Sequence, residues 1–294
     1  MVTTRIAATR RGNRAGFNLD VSRVLLWAAV IVVTLVALYP FVWALITSLK
    51  NQREALEPTL IPFLQFQPSL ENWSAELGLG WAETSKALTN SALISIGSTL
   101  LAVIMGTATG YGLARFRYGI GNRNLVSWVL SQRFLPPVAT LIPFFLLLQN
   151  LQLIDTVPGM IIVNTTFVLP FAILIMRDFF ADFPKELEEA ALVDGANYLQ
   201  IFLRVALPLA APALAAAAII CFAFAWNEFL FANVLTSRNA RPYTVLVAST
   251  GTVRGIHFGF VATRMLIAVA LPVILSLFVQ RYIVRGLTLG AVKG

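Results

Sequence analysis

Few side chains in this 294-residue sequence can do chemistry, and those that gather do so in one stretch. Residues 177–204 hold Asp178, Asp182, Lys185, Glu186, Glu188, Glu189, Asp194 and Arg204. Their spacing predicts a short helix. Pro184 suits a first helical turn. Glu186, Glu188 and Glu189 complement the positive end of the helix dipole. Good helix formers run on to Val193, and Asp194-Gly195 stops them, because glycine takes the left-handed conformation cheaply. A second short helix over 197–203 then leads to Leu207-Pro208. Small Ala190 and Ala191 permit close approach, and the acidic groups offer ion pairs. The chemistry of this segment is recognition, that of a docking knob. Bond-making chemistry has no comparable cluster. No Gly-x-x-x-x-Gly-Lys-Ser/Thr loop occurs to cradle a nucleotide. No His, Cys and carboxylate set has metal-ligand spacing. The single histidine, His257, reads as a solvated loop imidazole. The single cysteine, Cys221, reads as a small buried hydrophobe with no partner for an intramolecular disulfide.

The elements that must position this knob are apolar. The chain is 58% hydrophobic and only 12% charged, about half the ~25% of a soluble domain. Its mean hydropathy is +0.78. A soluble enzyme, a disordered chain and a disulfide scaffold are excluded, because a chain of this length has nowhere to hide that much apolar surface. Runs free of Asp, Glu, Lys and Arg mark five transmembrane helices near 24–49, 87–114, 134–154, 156–176 and 205–227, and a sixth, interrupted one over 261–284 is clean only from Met265 to Gln280. The expectation is an all-α polytopic membrane protein. A β-barrel would show alternating segments of about 10 residues instead. Residues 1–23 read as a basic tail, 24–284 as the six-span domain carrying the 177–204 segment, and 285–294 as a C-terminal tail. The first apolar run is too long for a signal-peptide core and reads as a retained anchor.

Lysine and arginine set the expected orientation. The N-terminal tail (Arg5, Arg10, Arg11, Arg14, Arg23), the loop with Arg115, Arg117 and Arg123, the 177–204 segment and the C-terminal end (Arg281, Arg285, Lys293) share one side. They outnumber the basic residues opposite by about two to one, so both termini are expected in the cytoplasm. The net charge of +8 reads as this topology signal, not as a nucleic-acid surface. Residues 50–86 form an outside loop in this scheme, with Trp73 and Trp81 as interfacial anchors. Gly106-x-x-x-Gly110 is expected to let a second helix approach closely.

Glu189-Ala190-Ala191 with Asp194-Gly195-Ala196 and the later Leu207-Pro208 resembles the EAA signature of the membrane subunits of binding-protein-dependent ABC importers. Trp226-Asn227-Glu228 and the tail Gly286-Leu-Thr-Leu-Gly-Ala-Val-Lys-Gly294 resemble the carbohydrate, maltose-permease branch. The likeness covers roughly residues 20–294. It implies a type I ABC importer permease fold in a bacterial inner membrane. It also implies a second related permease, two cytoplasmic ATPases that bind ATP and Mg, and an extracytoplasmic solute-binding protein. No cofactor is expected in this chain. By position, Glu189, Ala190, Ala191, Asp194 and Gly195 would couple to an ATPase groove, and Leu289, Lys293 and Gly294 would reach the ATPases.

A sugar pathway needs polar groups facing a cavity and aromatics to stack on rings. Asn90, Gln132, Asn164, Trp226, Asn227 and Glu228 are the candidates, with Ser91, Arg133, Thr165 and Thr166 beside them. Helix–helix hydrogen bonding is the alternative for the asparagines, and a water-exposed edge for Glu228. The expected role is a non-catalytic permease subunit of a sugar importer. The same role for glycerol phosphate, a sulfosugar or a polyamine is the alternative cargo. A secondary transporter would carry more spans, inverted repeats and a buried coupling carboxylate, and a membrane-embedded enzyme would need a nucleophile or metal cluster.

Overall fold

The computed structural model describes residues 21–116, 121–252 and 255–291. Most of the basic tail (1–20), Arg117, Arg254, Lys293 and Gly294 lie outside the described residues, as does the side chain of Leu289. The elements in order are α1 (Val21–Ser48), α2 (Glu71–Leu77), α3 (Trp81–Arg115), α4 (Asn122–Ser131), α5 (Pro137–Asn150), α6 (Val157–Asp182), α7 (Lys185–Val193), α8 (Tyr198–Ile201), α9 (Leu207–Leu209), α10 (Ala211–Trp226), α11 (Leu230–Leu235), α12 (Tyr243–Ala248), β1 (Gly251–Thr252), β2 (Gly255–Ile256) and α13 (Phe258–Ala291). The two strands form a minimal antiparallel ladder, and the fold is otherwise helical. The stretch to Trp43 is one compact unit, formed by an apolar helix with Pro40 inside it. Residues 44–294 are the other.

The second unit is organised on α3 and α6. A Cβ added at Gly106 would lie 2.5 Å from the Ala172 Cβ, and one at Gly110 would lie 2.7 Å from the Arg177 nitrogen. Glycine is needed at both places so that the backbones can touch. One apolar cluster joins Ile94, Leu148, Met160, Val163, Phe231 and Leu235. Another joins Tyr111, Met176, Phe180, Ala206, Ala210 and Ala217. The small alanines of α10 bring it against both long helices.

Among the described residues, four helices are long and apolar enough to cross a membrane, and six spans result if each of two bent pairs counts as one. The expected third span is therefore not straight. It is made of Asn122–Phe134 and Pro137–Asn150, bent by 92°. Pro136 is extended there (ψ 121°) and Pro137 opens the next helix, since proline supplies no amide donor to continue a helix. The fifth span bends by 76° between Tyr198–Leu209 and Ala211–Trp226, after a π-helical turn at Phe202–Ala206. The second span begins at Trp81, the fourth runs to Asp182, and the sixth covers Phe258–Ala291. All three outrun the expected bounds. Charged residues such as Glu83 and Lys86 limit an apolar run but do not stop a helix.

Candidate functional site

The 177–204 segment forms as its sequence dictates. The chain turns at Pro184 into α7, with Glu186 and Glu188 in the first turn. The far end closes in a Schellman motif: the Gly195 N–H donates to Leu192 O at 3.0 Å and the Ala196 N–H to Ala191 O at 3.0 Å. Gly195 has φ +85°, and a Cβ built there meets no atom within 4 Å. Backbone conformation alone, not crowding, selects glycine here. A capping box follows, in which Asn197 and Gln200 each accept the other's backbone N–H at 2.9 Å. Glu189, Ala190, Asp194 and Gly195 are exposed, and Ala191 is half-buried. Leu187, Leu192, Val193 and Leu199 are exposed apolar neighbours. The segment thus presents an acidic, small-residue surface rimmed by aliphatic side chains.

What holds it is a residue that spacing did not single out. Glu188 is buried, and its two oxygens accept the Arg115 Nε–H at 2.9 and 2.8 Å. The Tyr111 hydroxyl donates to it at 3.3 Å, and Arg115 Nη2 donates to Phe183 O at 3.0 Å. Arg115 and Glu188 therefore hang α7 from the end of α3. Arg115 carried only a topology meaning in the sequence. Its spacing from Tyr111, one helical turn on the same face, was the available signal.

The pathway candidates separate. Asn164, Asn227 and Glu228 meet around one cavity of about 350 Å³, with Arg133, Phe167 and Phe224 in its wall. Glu228 accepts the N–H groups of Phe231 (2.7 Å) and Ala232 (3.0 Å), so its carboxylate caps α11. Asn227 is exposed and donates to Ala223 O at 2.8 Å. Asn164 is buried, and its Oδ1 has no hydrogen-bond partner. Gln132 lines a neighbouring cavity of about 360 Å³, which shares Arg133 and Phe167. Asn90 and Trp226 line neither of these cavities, although Trp226 meets Asn164 and Glu228 at a void of about 10 Å³. Asn90 Nδ2 donates to the carbonyls of Asn239 (2.9 Å) and Arg241 (3.0 Å), and Trp226 Nε1 donates to Ala268 O at 3.2 Å.

The other end of the unit holds a cavity of about 760 Å³, where His257 and Arg53 sit among Glu71, Asn72 and Arg264. In the loop before α6, Asp155 collects backbone N–H donors from Ser237 (2.8 Å), Arg238 (3.1 Å), Asn239 (3.0 Å) and Ala240 (3.1 Å). Burial alone would raise this carboxyl, but the four backbone donors together hold it well below the usual carboxylate range. Lys50 is buried over the Phe66 ring, and its Nζ donates to Glu57 O and Thr59 O. Burial pushes its ammonium below the ordinary lysine value, against the pull of Glu54 and Glu57.

Comparison with known proteins gives the family. The model of the "Binding-protein-dependent transport system inner membrane component" matches residues 98–289. The trehalose transport system permease protein SugB of Mycobacterium tuberculosis is 36% identical over 263 residues, which cover 88% of this chain and 93% of the relative. The trehalose/maltose transport system permease protein MalG of Thermococcus litoralis is 31% identical over 276 residues, 92% of this chain and 97% of the relative. In the crystal structure of a bacterial ABC transporter involved in the import of the acidic polysaccharide alginate, one chain superposes with a TM-score of 0.72. It is 24% identical, with 91% of this chain and 99% of that chain covered, and it shares the fold. With its helical framework and a family match over most of its length, this chain belongs to the binding-protein-dependent transport system inner membrane components, the non-catalytic permease subunits of ABC importers.

Proposed function

We propose that this chain is one of two related permease subunits in an ATP-driven carbohydrate importer of a bacterial inner membrane. Both termini lie in the cytoplasm, a placement that the lysine and arginine distribution supports. Two cytoplasmic ATPases bind ATP and Mg and grip the knob at Glu189, Ala190, Ala191, Asp194 and Gly195. An extracytoplasmic binding protein delivers cargo to the opposite face. Leu289, Lys293 and Gly294 extend the C-terminal tail toward the ATPases. The observation that carries the reading is the division of labour in α7: Glu188 is buried against Arg115, while Glu189 and Ala190 on the same short helix stay exposed. A helix fixed on one face and open on the other can pass a push from a soluble motor to α3. The names of the relatives, which transport trehalose and maltose, support a sugar as cargo over a polyamine or a phosphate ester.

Gly195→Pro tests the coupling. Proline cannot adopt φ +85° and has no N–H for Leu192 O. The variant is expected to insert in the membrane normally while ATP-dependent uptake of trehalose or maltose falls at least tenfold. Unchanged uptake rejects the docking role. Deleting residues 289–294 is expected to change ATPase stimulation by the loaded binding protein, and no change makes the tail passive.

A further inference from the structure

The wall of the 350 Å³ cavity contains a cation without a carboxylate partner among the described residues and a buried acceptor without a donor. Arg133 sits where the third span breaks. Its guanidinium lies 3.9 Å from the centroid of the Phe171 ring, and Nη1 donates to Phe167 O at 3.1 Å. Phe171 is itself stacked on Phe224, at 4.5 Å and 16°. The group is thus held in place on an aromatic floor, and it has no carboxylate partner among the described residues. Asn164 faces the same space from α6. It is 2% exposed, and its Oδ1 accepts nothing. A buried acceptor without a donor is costly to keep, so a donor supplied by a guest is the natural complement. Glu228 adds a negative charge to the wall, although both its oxygens already serve α11.

We propose that Arg133 and Asn164 form a subsite on this chain for an uncharged, polyhydroxylated ring, a reading that rests on the importer role proposed above. The guanidinium donates to ring hydroxyl oxygens, and Asn164 Oδ1 accepts a hydroxyl proton. The exposed Phe224 face covers the apolar C–H side of the ring. The charge balance selects the cargo class. A phosphate or sulfonate gains from Arg133 and is repelled by Glu228, and a polyamine meets the reverse, whereas a vicinal diol uses both kinds of group without net charge. The cavity volume falls within the ~300–1,000 Å³ of small-molecule sites.

The test uses the complete importer in proteoliposomes, with its own binding protein and with trehalose, maltose and glucose 6-phosphate as probes. Asn164→Leu removes no existing hydrogen bond. It is expected to leave the melting temperature unchanged or higher and to keep ATPase stimulation within twofold, while cargo moved per ATP falls at least tenfold. Arg133→Gln is expected to lower cargo per ATP in the same way. Uptake by Asn164→Leu within twofold of wild type, or a matching fall in melting temperature and uptake, overturns the subsite. Preference for glucose 6-phosphate overturns the uncharged-ring class and leaves the importer reading standing. A wild-type complex whose ATPase ignores the loaded binding protein sinks the importer reading itself.

Discussion

Each end of α3 meets a buried arginine–glutamate pair, and the two pairs are built differently. Near Trp81, Glu76 accepts the Arg264 Nε–H on both oxygens, at 3.0 and 2.9 Å, and also takes the Thr84 hydroxyl. Arg264 continues to Leu246 O (3.3 Å) and Thr250 Oγ1 (3.2 Å) and lies over the Phe260 ring. That cluster binds α2, α3, α12 and α13 together. At the other end, the Arg115–Glu188 pair joins α3 to the nine-residue α7, and Arg115 Nη1 is buried without a partner. The first arrangement is a brace with its polar groups answered from several elements. The second is a tether to one small element. The two ends of α3 are thus held in different ways.

The comparison breaks most sharply at Arg264. Arg264→Met leaves the Glu76 carboxylate buried and unpaired, which is expected to cost about 4 kcal/mol, seen as a large fall in melting temperature in detergent. The double variant Glu76→Leu with Arg264→Met is expected to recover most of that loss. A single-variant cost below about 1 kcal/mol removes the brace from the picture. Arg115→Met is expected to cost less, about 2–3 kcal/mol, because Glu188 can turn toward water at the edge of the fold. Its larger effect is on partner retention: the ATPases are expected to elute apart from the membrane subunits, whereas the Arg264 double variant keeps them. Co-elution unchanged by Arg115→Met ends the distinction between the two pairs.

Asp155 sharpens the comparison on the brace side. Asp155→Ala frees the N–H groups of residues 237–240 and is expected to cost about 2 kcal/mol. The folded carboxyl has a depressed pKa, so its contribution is complete above the unfolded value near ~4 and fades as pH falls toward the folded value. The melting-temperature gap between wild type and variant is therefore expected to be constant from neutral pH to about 5 and to narrow in stronger acid. A gap that widens as pH falls contradicts this. Gly195→Ala should show the smallest effect, about 1 kcal/mol from placing an L side chain at positive φ, because the methyl group itself meets open space. Transport is expected near the wild-type rate, and a transport loss as deep as that of Gly195→Pro without a matching fall in melting temperature would mean that the turn needs glycine for a contact outside this chain, not for its backbone conformation.

The legible parts of the molecule are those with local causes. Pro184, the glutamates and Gly195 mark both ends of α7, because caps and turn conformations act over a few residues. The apolar runs reveal where spans lie but not their direction, so the bends of 92° and 76° were hidden, although the Pro136-Pro137 pair stands at the first. Glu188 and Glu189 are adjacent and chemically alike. Only the packing of α7 on α3 makes one an anchor and leaves the other open. Asn90 and Asn164 are both polar residues in apolar runs, yet one tethers a loop across 149 positions of sequence and the other lines a cavity. That distinction is tertiary and has no signature in a single sequence.

Where Gly106 and Gly110 press α3 on α6, the spacing leaves no slack for a methyl group. Sliding either rod lengthwise would drive Ala172 or the Arg177 backbone into its neighbour. The two rods are thereby keyed like a shaft in its slot, and the elbows in the two bent spans are the natural joints for whatever rearrangement carries solute across.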